Sequence, residues 1–252
     1  MEIFKYRSLK ALFVLLSVFF LNAGNSGCQA QVEQKATATY TTKAPGSGGT
    51  GKVYMGREIA RVIGTGGANW LDRSTRLKEE NSLQAINSMM LTPESVVADI
   101  GAGTGFYTFK VAKKIPRGKI YAVELQDGFV SELKKRSKEQ GLGHVEVVKS
   151  GPTSIQVPDA SLDLAFMVDV YHELEYPQEM LQAIHRALKP TGKLLLLEYR
   201  AEDPKVMIRE LHKMTAEQVT KELEANGFRL YKREDFLPIQ HFLMFEKQQK
   251  SD

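Results

Sequence analysis

The residues that most clearly point to chemistry are three glycines that alternate with other residues directly after a short apolar run. The run is Val96–Ile100, and the glycines are Gly101, Gly103 and Gly105. Because glycine has no Cβ, the backbone at such positions can turn tightly and approach a bound molecule closely. A dinucleotide-binding loop requires G-x-G-x-x-G/A, and Phe106 occupies the place of its last small residue. The spacing therefore predicts a ligand-binding turn and argues against a nucleotide-dependent oxidoreductase, which we keep as a rival hypothesis.

Two carboxylates lie where such a turn would present a ligand. Asp99 belongs to the apolar run before the glycines, and Glu124 ends the next apolar run, residues 119–124. A carboxylate at a strand end can accept one hydrogen bond from each of two ribose hydroxyls, and its charge strengthens both bonds. An isolated glutamate in this place is more often simply solvated. Combined with the glycine turn, Glu124 is predicted to bind a ribose.

Short apolar runs and amphipathic segments alternate along this part of the chain. Strands are predicted at residues 96–100, 119–124, 145–148, 162–168, 194–198, 228–233 and 241–246, and helices at 106–114, 127–140, 177–188 and 215–226. This alternation is typical of a doubly wound α/β sheet with right-handed crossovers. Ligands bind such sheets beyond the carboxyl ends of the strands, which is where the glycine turn and Glu124 lie. The last two strands are predicted to pair antiparallel.

Four motifs, in this order, resemble those of class I S-adenosylmethionine (SAM) dependent methyltransferases, in the type 11 group that contains small-molecule and quinone methyltransferases. The glycine turn has the D-x-G-x-G-x-G form of the first motif, and Glu124 matches the second. Residues 162–174 (LDLAFMVDVYHEL) resemble the fourth-strand motif, and residues 187–194 (ALKPTGKL) resemble the entry into the fifth strand. The resemblance runs from Val96 to Glu246. It implies a mostly parallel, seven-stranded Rossmann-like sheet with an antiparallel last strand, preceded by N-terminal helices.

The same resemblance implies SAM as the cofactor and methyl transfer as the reaction. The implied cofactor-binding residues are Asp99, Gly101, Gly103, Gly105, Glu124 and Asp169. The first motif would hold the methionine end of SAM and Glu124 its ribose, with Asp169 close to the cofactor. Relatives often have an acid after the third strand that contacts adenine, but residues 149–153 contain none. We therefore expect the backbone or Ser150 to hold the adenine.

Tyr171 and His172, which follow Asp169, are the predicted catalytic residues. If the acceptor is a hydroxyl, His172 is the candidate general base, because imidazole titrates near neutral pH. The alternative is a structural histidine that caps the next helix or lies on the surface. Further candidates for an acceptor pocket are Tyr54, Trp70, Arg73, Arg200, Arg209 and His212. The methyl group of SAM is already activated, so positioning can supply much of the catalysis. The expected acceptor is a small molecule; the rival is a non-catalytic SAM-binding module.

Composition argues against several other classes of protein. The 252 residues carry a formal net charge of +4 without a dense basic patch, so nucleic acid is not an expected partner. Cys28 is the single cysteine of the sequence, so no internal disulfide can form. The spacing of cysteine and histidine does not match a zinc motif, and no metal site is predicted.

The N-terminus resembles a targeting segment. Basic residues precede the unbroken apolar run at 11–21, and small or polar residues follow it, as in a secretory signal. Cleavage after Ala30, lipidation of Cys28 and retention as an uncleaved membrane anchor all remain open, although SAM is made in the cytoplasm. We predict a signal or anchor at residues 1–30, a flexible linker at 31–51, an N-terminal helical lid at 52–92 and a methyltransferase domain at 93–248. The lid prediction includes a helix over residues 73–91, with Leu77, Leu83, Ile86 and Met90 at near-helical spacing.

Overall fold

The computed structural model describes residues 39–248. The predicted signal segment lies outside the described residues, as do Cys28 and the first part of the predicted linker. The described part begins with a three-stranded antiparallel sheet formed by β1 (Tyr40–Thr42), β2 (Gly49–Tyr54) and β3 (Arg57–Ala60). The predictions of a linker continuing to residue 51 and of helix from Val53 onward are therefore wrong for this segment.

A tight turn between β2 and β3 explains why the sequence misled. Tyr54 pairs with Arg57, which leaves Met55 and Gly56 as a two-residue loop. Both have positive φ, at 46° and 100°. Such a turn matches the twist of the two strands and usually carries Asn-Gly or Asp-Gly. Methionine in the first place gives no such signal in the sequence.

Helix does follow the hairpin, but in short pieces: α1 (Ala68–Leu71), α2 (Arg76–Glu79) and α3 (Ser82–Asn87). The continuous helix predicted over 73–91 is wrong, because Asn81 adopts a left-handed conformation with φ of 48° between α2 and α3. The change of direction exposes Leu77, Leu83 and Met90, whereas Ile86 is buried as expected.

The main sheet has the predicted seven strands. They are β4 (Val96–Ile100), β5 (Lys119–Glu124), β6 (Val145–Lys149), β7 (Leu162–Val168), β8 (Leu188–Tyr199), β9 (Phe228–Glu234) and β10 (Gln240–Lys247). Their order is β6-β5-β4-β7-β8-β10-β9, and β10 runs antiparallel to both neighbours. The fold-class prediction is thus confirmed, including the antiparallel final pair.

Four helices connect these strands: α4 (Thr108–Ala112), α5 (Asp127–Glu139), α6 (Pro177–Ala187) and α7 (Ala216–Glu224). Successive residues of a strand point to opposite faces, so the sheet supports two apolar clusters. Ala98 of β4 joins the cluster that includes α6 and α7, and Val97 joins the one that includes α3, α4 and α5. Among the described residues, no helix is long and apolar enough to cross a membrane.

The central strands determine where a ligand can bind. β4 lies between β5 and β7 and runs parallel to both, so their carboxyl ends meet at one edge. Gly101, Glu124 and Asp169 lie at these three ends. The sheet thereby brings together residues that are far apart in the chain.

Candidate active site

The glycine turn is held against the sheet by its own backbone. The N–H groups of Gly101 and Ala102 donate to the Val123 carbonyl at 2.9 and 3.1 Å. Gly101 has φ of 75°, and a Cβ built there would lie 2.7 Å from both γ-methyl groups of Val170. This position accepts only glycine without a rearrangement, because it combines a left-handed backbone with a close side chain.

Glu124 is buried and organises the turn as well as facing the cavity. Its Oε2 accepts the N–H of Gly103 at 2.8 Å, and its Oε1 accepts those of Leu125 and Gln126, also at 2.8 Å. A carboxylate offers about four lone-pair sites, so three bonds leave Oε2 able to accept one more. The arrangement fits a ribose hydroxyl on Oε2, in addition to a structural role that the sequence did not show.

Asp99 lies at the end of β4, in the wall of the same cavity. Its Oδ2 accepts the Thr108 hydroxyl at 2.5 Å. Burial, reinforced by the charge of Glu124, raises the pKa of Asp99 to about 7. A cation placed beside this carboxyl would favour its ionised form. Asp99 is thus suited to the ammonium group of a methionine moiety.

Asp169 directly follows β7, and its backbone is left-handed with φ of 55°. The Nε2 of Gln240 donates to both of its carboxylate oxygens, at 2.8 and 2.9 Å, and the Arg76 guanidinium lies 3.9 Å away. Burial, and then the charges of Glu80 and Glu198, raise the pKa of Asp169 well above its usual range. Gln240 and Arg76 act in the opposite direction and favour the ionised carboxylate.

These residues line one cavity with an empty volume of about 1080 Å³, part of which is open to solvent. Asp99, the glycine turn, Glu124 and Asp169 all contribute to it, as the resemblance implied. Ser150, the candidate adenine contact, also lines it. Val62, Ile63 and Leu71 add apolar surface from the N-terminal segment. Hence residues before the main domain do contribute to the cavity, although not those that the sequence suggested.

Tyr107 and Arg76 are further cavity residues that sequence reasoning missed. Tyr107 is buried, and its hydroxyl has no hydrogen-bond partner within the described structure. Arg76 binds Glu80 and the Leu71 carbonyl, each at 2.8 Å, and its guanidinium lies 4.5 Å from the Phe106 ring centre. The only signal for Tyr107 was its position just after the glycine turn. A buried, unpartnered hydroxyl beside a cavity is costly unless a ligand satisfies it.

The predicted catalytic pair does not face this cavity. The Tyr171 side chain is fully buried, and its hydroxyl donates to Glu222 at 2.8 Å. His172 is 2% exposed, with Nδ1 2.6 Å from Glu198 and Nε2 3.1 Å from His212. Burial opposes its charge, but nearby carboxylates, led by Glu198, outweigh burial and raise its pKa to about 10. The structure thus corrects the general-base hypothesis: both ring nitrogens are engaged, and a proton is held at neutral pH.

The other acceptor-pocket candidates are also absent from the cavity wall. Trp70 is half exposed, and the Arg73 guanidinium stacks on it at 3.8 Å. Tyr54 is buried and accepts the Asn226 amide at 2.7 Å. Arg200 donates to carbonyls of the 237–238 segment. None of these side chains, nor that of Arg209, lines the cavity.

Comparison with known proteins agrees with the site geometry in indicating a methyltransferase domain. Residues 98–196 match the family model described as a methyltransferase domain. The ubiquinone/menaquinone biosynthesis C-methyltransferase UbiE of Hydrogenovibrio crunogenus is 27% identical over 117 residues, which is 46% of each chain. The protein of the same name from Ectopseudomonas mendocina is 28% identical over 109 residues, 42% of this chain and 43% of its own. The chain thus spans less than half the length of these curated relatives.

Solved structures share the fold more completely. A SAM-dependent methyltransferase from Aquifex aeolicus has a TM-score of 0.69 at 25% identity, covering 73% of this chain and 98% of that one. The [4+2]-cyclase SpnF has a TM-score of 0.58 at 19% identity, covering 67% of this chain and 80% of its own. Taken with the site geometry, these matches show a methyltransferase domain over residues 98–196 and support a place in the class I SAM-dependent family.

Proposed function

We propose that this protein transfers the methyl group of SAM to a small, largely apolar acceptor. The observation that carries the proposal is a shared cavity: the glycine turn, Asp99 and Glu124 line the same space as apolar side chains such as Ile63 and Leu174. A cofactor and an apolar acceptor can therefore meet there.

The described residues supply positioning and water exclusion. Glu124 would accept a ribose hydroxyl on Oε2, and Asp99 would pair with the ammonium group of the methionine moiety. SAM supplies the activated methyl group when bound. The N-terminal residues Val62, Ile63 and Leu71 cover the cavity with apolar surface. Excluding water and aligning the acceptor are the main requirements for transfer of an activated methyl group.

We infer further that the acceptor is an aromatic hydroxy compound, with hydroquinones the first to examine. The named relatives support this, because both are described as ubiquinone/menaquinone C-methyltransferases. The cavity supports it as well. The unpartnered Tyr107 hydroxyl and the Asp169 carboxyl provide polar contacts among apolar walls. That combination fits a flat apolar ring with a hydroxyl substituent.

A transfer assay tests the proposal. Purified protein is titrated with SAM by calorimetry and then incubated with methyl-labelled SAM and a panel of hydroquinones, phenols and amines. We expect SAM binding and a labelled product from the hydroquinones or phenols, identified by mass. Binding without any product would favour the non-catalytic SAM-binding module. Thermal stabilisation by NAD and not by SAM would favour the oxidoreductase and overturn the proposal.

We also propose that residues 1–30 direct the protein out of the cytoplasm or anchor it to a membrane. The sequence pattern described above is its support. A fusion of residues 1–38 to a reporter that is active only outside the cytoplasm should be active. Replacing the apolar run at 11–21 by polar residues should abolish that activity. An inactive parent fusion would contradict the proposal.

A further inference from the structure

Three potential metal ligands from two distant segments converge beside the cavity. His172 and Glu173 lie in the single 3-10 turn after β7, and His212 lies in another such turn, Glu210–His212. The His172 Nε2 is 3.1 Å from the His212 Nδ1. The nearer Glu173 oxygen is 3.7 Å from that Nε2 and 3.3 Å from that Nδ1. The three atoms form a nearly equilateral triangle.

The size of this triangle matches a coordination sphere. Zinc binds imidazole nitrogen and carboxylate oxygen at about 2.0–2.2 Å in tetrahedral geometry, which places neighbouring ligand atoms roughly 3.3–3.6 Å apart. The three observed separations between the candidate ligand atoms, 3.1, 3.3 and 3.7 Å, lie within or close to this range. Two imidazoles and one carboxylate are also a donor set that divalent transition metals favour.

Two of the three ligands are oriented by further hydrogen bonds. The His172 Nδ1 lies 2.6 Å from Oε2 of Glu198, whose Oε1 accepts the N–H groups of Val170 and Tyr171. The Glu173 carboxylate accepts the Ile63 N–H at 3.2 Å. Histidines that bind metals typically donate their second ring N–H to a carboxylate in this way, which fixes the ring. The hydrogen bond to Glu198 therefore fixes the His172 ring with its Nε2 at one corner of the triangle.

The negative charges around the triangle also favour binding of a cation. Glu198 is fully buried, and the Glu173 side chain is only 10% exposed. The nearby Arg57 guanidinium is already engaged in a two-bond ion pair with Glu222, at 2.8 and 3.0 Å. A divalent ion bound at the triangle would replace any proton on the imidazoles and place its positive charge beside both carboxylates.

We propose that His172, Glu173 and His212 bind a divalent transition-metal ion, with Zn²⁺ as the representative. Glu173 also lines the cavity, so the ion lies at the cavity edge. Three protein ligands leave a fourth position, as in zinc sites that bind a water or a substrate. One of its ligands, Glu173, also accepts the Ile63 N–H and so connects the site to the N-terminal segment. This proposal does not depend on methyl transfer.

Metal binding by the full-length protein tests it. The protein is stripped with a chelator, and Zn²⁺ is titrated by calorimetry, with Mg²⁺ as a hard-cation control. We expect one Zn²⁺ per chain, an increase in thermal stability and no comparable response to Mg²⁺. Glu173→Gln and His212→Gln should each weaken Zn²⁺ binding by at least about 10–100-fold, the loss seen even for outer-sphere substitutions.

Two control variants and a second readout make the outcome decisive. His185→Gln removes a histidine that packs on Phe228 and does not belong to the triangle, and Cys28→Ser removes the single cysteine of the sequence; both variants should bind Zn²⁺ like the parent. Co²⁺ bound to the parent should show the visible absorption of a tetrahedral nitrogen and oxygen site, which does not require the ligand variants to fold. Unchanged Zn²⁺ affinity in either ligand variant would overturn the proposal, as would a parent that binds neither metal. In that case the triangle is a hydrogen-bonded histidine cluster.

Discussion

Replacing Glu124 by glutamine is the sharpest single test of the cofactor site. The change keeps the size of the side chain and removes its charge. Its amide oxygen can still accept the N–H groups of Leu125 and Gln126, but its NH₂ group then faces the Gly103 N–H that Oε2 accepts at 2.8 Å. The turn therefore loses one charged hydrogen bond, and the ribose loses a charged acceptor.

The expected size of the effect follows from these bonds. A hydrogen bond to a charged group contributes roughly 1.5–3 kcal/mol, and part of the loss at Gly103 already lowers the stability of the free protein. The remaining loss, up to a similar size, should raise the dissociation constant of SAM by about 10–150-fold. Calorimetric titration measures the affinity, and urea unfolding without ligand measures the stability.

A matched control is Glu94→Gln. Glu94 is more than half exposed and pairs with Arg117 on the surface, so its loss should leave SAM affinity unchanged. If Glu124→Gln binds SAM within a factor of about two of the parent, the ribose assignment is wrong. If it loses stability but not affinity, Glu124 only organises the glycine turn.

Three further substitutions address the rest of the cavity. Asp99 has a pKa of about 7 against 3.8 when unperturbed, so the folded state holds the extra proton and stability falls as pH rises through this window. Asp99→Asn should flatten that slope in urea unfolding from pH 5 to 8; an unchanged slope would contradict the cause given. Tyr107→Phe should stabilise the ligand-free protein by up to about 1–3 kcal/mol, because it removes an unsatisfied hydroxyl, and should slow transfer. Faster or equal turnover in the labelled-SAM assay would show that the hydroxyl meets no ligand. Gly101→Ala should destabilise the fold by at least roughly 1–2 kcal/mol, from its positive φ alone. Gly143→Ala, with open space around the added Cβ, is its control, and equal melting temperatures would refute the close-packing argument.

The sequence by itself determined the main sheet and its cofactor edge. Buried strands are apolar runs bounded by turns, and this local pattern located all seven strands, six of them with small errors at their ends. The fifth, β8, begins at Leu188, six residues before its predicted start. The glycine turn and Glu124 follow directly from the strands that carry them. Because ligands bind doubly wound sheets beyond the carboxyl ends of the strands, both were expected at the binding edge before the strand order was known.

Prediction from local sequence failed at two non-glycine residues that adopt a left-handed backbone. Met55 and Asn81 both adopt positive φ, the first closing a hairpin and the second interrupting a helix. Methionine gives no signal for this conformation, whereas asparagine is enriched in it, so Asn81 was a break signal that the apolar spacing concealed. The apolar spacing of residues 73–91 consequently predicted one long helix with a single buried face, whereas the structure has the two short helices α2 and α3 there.

The role of His172 was decided by tertiary structure alone. Nothing near it in the sequence shows that Glu198 lies 2.6 Å from one ring nitrogen and His212 3.1 Å from the other. A titratable side chain takes its charge state and its partners from burial and from groups that folding brings close. The same folding assembled a histidine and carboxylate triangle from residues whose spacing matches no metal motif. Sequence spacing can indicate a metal site built from one segment, whereas the ligands of the proposed site come together only because two turns meet at the end of the sheet.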